Sequence, residues 1–141
     1  MNIHIINGPN LNLLGKREID VYGNQSFESY ITQLQQEFKQ VTITYFQSNI
    51  EGELINEIQR VGFIVDGIVF NPAGYSHTSI ALGDAIIAIT APVVEVHISN
   101  IYAREEFRKH SFISAKAKGV ITGLGLYGYT LAINWLLKNA K

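Results

Sequence analysis

The chain has 141 residues, 47% of them hydrophobic, which suits one folded domain with a sizeable core. Its 11 basic and 12 acidic residues leave a formal charge of −1, so nothing in the balance suggests nucleic acid or another polyanion as partner, although a small local anion site remains open. There is no cysteine, which excludes disulfides, thiolate catalysis and Cys metal ligation. The opening lacks a basic segment followed by a signal-like apolar region, and no apolar run is long enough to span a membrane. A soluble, cytoplasmic protein is the expectation.

Asn2–Ile6 reads as a buried strand with His4 as its one ionisable residue. It breaks into Asn7-Gly8-Pro9-Asn10, then Leu11-Asn12-Leu13-Leu14-Gly15-Lys16-Arg17, a stretch punctuated by glycine and proline and crowded with amides. Asn10, Arg17 and Tyr22 are the first functional candidates. The stretch reads equally as a surface Ω-loop with leucines tucked beneath it.

Phe27, Tyr30, Ile31, Leu34 and Phe38 recur at helical spacing within Ser26–Lys39. Val41–Phe46 is branched and aromatic, hence a strand. Ser48-Asn49-Ile50-Glu51 resembles a capping box ahead of a helix carrying Leu54, Ile55, Ile58 and Val61, with Gly62 as its stop. Phe63–Phe70 is a second buried-strand candidate, interrupted by Asp66 and Gly67. A second unusual loop, Asn71–Ser79, follows, in which Ser76, Thr78 or Ser79 could cap the next helix. That helix carries Ile80, Ala81, Asp84, Ile87 and Ala88, and Asp84 shares a face with His77 if His77 is itself helical.

Pro92–His97 is extended, which puts Glu95 and His97 on one face of a strand. Arg104 and Arg108 have the spacing of one helical face, where like charges repel unless solvent, acids or a ligand carboxylate compensates. Gly119–Gly123 is a short strand. Gly125 and Gly128 precede a final helix in which Leu131, Trp135 and Leu136 are core candidates.

This alternation of strands and helices predicts a single α/β domain over 1–141, with a parallel sheet between helical layers. Loops beginning at Gly8, Asn71 and His97 would leave carboxyl ends of strands and meet on the edge where such folds bind ligands. The histidines have no familiar metal-ligand spacing, and no phosphate-binding or nucleophile-elbow motif occurs. Tyrosine, histidine, arginine, carboxylates and amides remain, a set that supports proton abstraction from a polar substrate without a cofactor.

Asn7-Gly8-Pro9-Asn10-Leu11-Asn12 with Arg17 and Tyr22, the Asn71-Pro72 loop with His77-Thr78-Ser79, and Glu95–Asn100 followed by Arg104–Arg108 occur in an order that closely resembles type II 3-dehydroquinate dehydratase, over essentially the whole chain. The resemblance implies a flavodoxin-like three-layer fold, conversion of 3-dehydroquinate to 3-dehydroshikimate and water in the shikimate pathway, no cofactor or metal, and a homododecamer built from trimers. It implies Tyr22 as general base, kept ionised with help from Arg17, and Asn10 holding the water that stabilises an enolate. It implies that His97 protonates the departing hydroxyl while Glu95 orients it. Asn71, His77 and Arg108 would bind substrate hydroxyls, and Ile98 and Ser99 its carboxylate. Asp84 would reach an adjacent subunit's site, and Arg104 would stabilise a lid or the fold.

Ile19, the Ala73-Gly74 order, Ser76 and Gly83 depart from the common family pattern and bear on loop stiffness and packing between subunits. Two other readings of the same residues remain at this point. One is a noncatalytic flavodoxin-like module binding a small anion through Arg17 and Arg108. The other is a cofactor-free lyase for a related cyclic hydroxy acid.

Overall fold

The computed structural model describes residues 1–16, 20 and 23–140. Five strands, β1 (Asn2–Asn7), β2 (Thr42–Gln47), β3 (Gly67–Asn71), β4 (Val93–His97) and β5 (Gly119–Thr122), form one sheet in the order β2-β1-β3-β4-β5. Every pairing is parallel. The helices lying wholly within the described residues are α1 (Phe27–Glu37), α2 (Glu51–Val61), α3 (Ile80–Ala88) and α4 (Tyr127–Asn139).

The central strands carry apolar side chains on both faces, as a sheet covered by helices on each side requires. Alternation along β1 sends Ile3 and Ile5 toward α1 and α4, where Phe27, Leu34, Tyr129 and Ile133 complete one core. Ile6 points the other way, to Leu54 and Ile58 of α2 and Leu82 and Ile86 of α3. Each fully buried Leu, Ile or Phe contributes roughly 1.5–3 kcal/mol. The strand order makes this the flavodoxin-like arrangement, and it places the carboxyl ends of β1, β3 and β4 side by side.

Local chemistry sets the element ends. Ser26 caps α1 by accepting from Ser29 N–H at 3.2 Å, and Ser79 caps α3 by accepting from Leu82 N–H at 3.0 Å. The capping box ahead of α2 is displaced: Ser48 accepts from Ile50 N–H and bonds Glu53, while Ile50 occupies the cap position. Gly62 does end α2, with right-handed backbone angles. Glycine is needed there for space, because a Cβ would lie 2.3 Å from Ile89 Cγ2.

Further expectations change. The strand expected over Phe63–Phe70 begins only at Gly67, and Phe63 and Ile64 are exposed in the preceding turn. His77 ends a short 3₁₀ turn separate from α3, so it shares no helix face with Asp84. Arg104 and Arg108 are on no common helix. Arg104 lies in the break between 3₁₀ turns at Ile101–Ala103 and Glu106–Lys109, and Arg108 lies within the second turn. On α4 the core is filled by Tyr129, Ala132, Ile133 and Leu136, whereas Trp135 is 40% exposed. Among the described residues no helix is long and apolar enough to cross a membrane.

Candidate active site

The three punctuated loops line one cavity of about 180 Å³ at the carboxyl ends of β1, β3 and β4. The first two are locked together. Gly8 N–H donates to the Asn71 carbonyl at 2.8 Å, and a Cβ on Gly8 would lie 2.6 Å from the Pro72 carbonyl oxygen, so only glycine permits this approach. Asn49, between β2 and α2, braces both loops: its side chain accepts from Asn10 N–H at 2.9 Å, and its carbonyl accepts from the Tyr75 hydroxyl at 2.7 Å.

Asn10 lines the cavity from a left-handed conformation with φ 70°, which asparagine tolerates better than most residues. Asn71 lines it from the end of β3 and is buried. Its amide nitrogen donates to the Tyr129 hydroxyl at 2.9 Å and its side-chain oxygen accepts from Ala73 N–H at 3.0 Å. The Tyr129 hydroxyl in turn donates to Asn7 at 2.8 Å. One Asn71 amide hydrogen is thus spent on fixing the side chain, and the other remains for a ligand. Tyr129 is wholly buried and its pKa is pushed up by that burial, so it stays a neutral hydroxyl. The sequence motif includes Asn7 without giving it a role and does not single out Tyr129, although a tyrosine in an apolar helix needs a partner for its hydroxyl.

Glu95 and His97 emerge from β4 as a buried pair. His97 Nε2 donates to Glu95 Oε1 at 2.6 Å, and the wholly buried Ser76 donates its hydroxyl to the same oxygen at 2.8 Å. Burial pushes the Glu95 pKa up. The His97 hydrogen bond and charge, aided by Ser114 and Ser76, outweigh it and leave the group below the usual carboxylate range. No group among the described residues is aligned for a hydrogen bond to Oε2. An ionised Glu95 requires the hydrogen on His97 Nε2, which leaves Nδ1 as the nitrogen free to exchange a proton.

His77 stacks on His97 with ring centroids 6.2 Å apart. Its Nδ1 donates to the His110 carbonyl at 2.7 Å, so Nε2 is the acceptor of the neutral ring. Desolvation lowers its pKa, with the nearby His97 and Arg108 charges acting in the same direction.

Arg104 and Arg108 share the cavity with Ile98 and Ser99. Arg104 donates to the Ser99 hydroxyl at 3.3 Å, and Arg108 donates to Glu105 at 2.6 Å. Glu105 also lies 3.9 Å from Arg104, so one exposed carboxylate relieves the repulsion between the two guanidiniums. Asp84 does not line the cavity. It is 70% exposed on α3, 3.4 Å from Lys116. The candidate residues Arg17 and Tyr22 lie outside the described residues.

The family model for Dehydroquinase class II matches residues 1–137. A 3-dehydroquinate dehydratase of Aliarcobacter butzleri is 52% identical over 140 residues, covering 98% of this chain and 85% of that protein. The crystal structure of the type II dehydroquinase from Butyrivibrio crossotus superposes with a TM-score of 0.94 at 43% identity, covering 97% of each chain. That from Propionibacterium acnes superposes with a TM-score of 0.91 at 40% identity, covering 98% of this chain and 97% of the other.

Proposed function

Because the chain belongs to the type II 3-dehydroquinate dehydratase family, we propose that it reversibly converts 3-dehydroquinate to 3-dehydroshikimate and water by tyrosine/histidine acid–base chemistry through an enolate. The observation that carries this reading is the buried Glu95–His97 pair at a cavity that also holds two arginines, two asparagines and a second histidine. It is an arrangement for moving protons on a small, anionic, hydroxyl-rich molecule.

Tyr22 is the base that removes the proton beside the ketone. An ordinary tyrosine has a pKa of about 10, so the cation of Arg17 serves to keep it ionised. The resulting enolate is stabilised by a water held at Asn10. His97, carrying a proton on Nδ1 while Nε2 is held by Glu95, gives that proton to the departing hydroxyl, which leaves as water as the carbon–carbon double bond forms. The proton gained by Tyr22 returns to solvent and His97 takes one back. Arg108, Asn71 and His77 bind substrate hydroxyls, and His77 suits the role because its Nε2 can accept. Ile98 and Ser99 receive the carboxylate, and Arg104 stabilises the segment above them through Ser99.

The working assembly is a homododecamer built from trimers. Its support is the outer face of α3, where Ile80 and Ile87 are 58% and 60% exposed and flank Asp84. An apolar stripe of this kind suits contact with another subunit, and Asp84 would thereby reach the neighbouring site. Absorbance of the conjugated ketone product tests the activity. Ultraviolet absorbance that rises through many turnovers per protein supports the dehydratase. Binding of 3-dehydroquinate without product would replace it with a binding module.

A further inference from the structure

We infer that Ser76 and Ser111 are positioning residues for the Glu95–His97 pair, forming a directed hydroxyl chain that couples the segment bearing Arg108 to the proton-donating imidazole. The inference rests on the dehydratase reading and goes beyond it. Ser76 Oγ lies 2.8 Å from Glu95 Oε1 and 3.0 Å from Ser111 Oγ. A serine has one hydroxyl hydrogen and an ionised carboxylate can only accept. The Ser76 hydrogen therefore goes to Glu95, and Ser111 must donate to Ser76. Ser111 Oγ in turn accepts from Ile113 N–H at 3.0 Å and Ser114 N–H at 2.9 Å. Every bond on this side points toward the carboxylate, and bonds so aligned polarise one another.

The chain begins in the segment that carries the cavity-lining Arg108. The same segment supplies the His110 carbonyl that fixes His77, and its Phe112 N–H donates to the Ser76 carbonyl at 2.9 Å. Both site histidines are thus oriented from one stretch of backbone. Ser76 and His97 share Oε1 of this buried carboxylate, which Ser114 also helps to stabilise. Removing the Ser76 hydroxyl concentrates that charge on His97. Among the described residues, the other charged or titratable groups around His97 are His77, stacked on it, and Arg104 and Arg108 across the cavity. None of them changes in the variant.

The experiment pairs histidine NMR titration of the ligand-free protein with dehydratase kinetics for Ser76→Ala, Ser76→Thr and Ser111→Ala, with His97→Asn identifying the His97 resonance. Ser76→Ala is expected to move the His97 resonance midpoint upward, because a hydrogen bond that helped neutralise its Glu95 partner is gone. It should also lower kcat about tenfold with little change in KM. Ser111→Ala should act in the same direction more weakly, and Ser76→Thr should restore both readouts. An unmoved midpoint, or a kcat loss that simply follows loss of thermal stability, would overturn the chain. If Ser76→Ala does not fold, Ser111→Ala alone decides by the same midpoint. Absence of turnover in the unaltered protein would defeat the dehydratase reading, while the titration would still decide the hydrogen-bond chain.

Discussion

A histidine that protonates a leaving group must first hold the proton, and a buried ring holds it better beside an anion. Glu95 supplies that anion to His97 from two positions earlier on the same strand. His97→Asn keeps a polar group and removes the exchangeable proton, so kcat should fall by about 10²–10⁴-fold with the fold retained. Turnover followed in the ultraviolet beside circular dichroism checks both halves. Near-normal turnover would remove His97 from the reaction. A purely structural histidine would show reduced thermal stability as its main defect. Glu95 has its own pH signature. Its pKa in the folded chain lies below the ordinary value of 4.5, so the stability it contributes is present above that value and is lost as pH falls through the folded pKa.

Between elements, the site depends on how closely two loops approach. Gly8→Ala would drive a methyl group against the Pro72 carbonyl, separating the loops that carry Asn10 and Asn71. Overpacking of this kind costs about 1–3 kcal/mol, and activity should fall further than stability because the cavity is what opens. Ser79→Ala is the complementary case. It removes the cap of α3 and should cost about 1 kcal/mol in urea unfolding. Its kcat should be close to that of the unaltered protein, since Ser79 makes no cavity contact. Equal kinetic damage in both variants would refute the distinction between loop apposition and helix stability.

Across the whole molecule, a buried polar pair joins the sheet to α2. His4 Nδ1 is 2.6 Å from the Thr44 hydroxyl and Nε2 is 2.8 Å from Glu57, which also binds Arg60. Burial lowers the His4 pKa below 6.5 despite the pull of Glu57, so the native state holds the ring neutral more firmly than the unfolded chain does. Stability is therefore complete above about pH 6.5 and falls as pH drops below it, where the unfolded chain binds the extra proton. His77 shifts in the same direction and adds to the slope. His4→Gln should flatten the dependence of Tm on pH between 5 and 7.5 by calorimetry. An unchanged slope would assign it elsewhere. Assembly is tested at the same scale. Asp84→Ala should weaken oligomerisation, catalysis or both while leaving subunit secondary structure intact, as measured by sedimentation beside activity. Full activity from a stable monomer would reject a shared site.

The sequence alone determined the parallel α/β architecture, because hydrophobic period and punctuation are local properties. It also determined that Gly8, Asn71 and His97 open converging loops, because a parallel sheet puts its strand ends on one edge. The pairing of Glu95 with His97 was legible for a similar reason: residues two apart on a strand share a face. What needed the tertiary structure lies far apart in the chain. Ser76 and Ser111 meet only because the 3₁₀ turn after β3 packs against the segment before β5. Tyr129 reaches Asn7 and Asn71 across the sheet. The arginine pair looked helical because spacing cannot reveal a break at Arg104. Trp135 looked like core because hydrophobicity does not say which apolar stripe of the helix faces the sheet. Long-range packing decides such matters, and it is set by what each face meets, which no window of sequence contains.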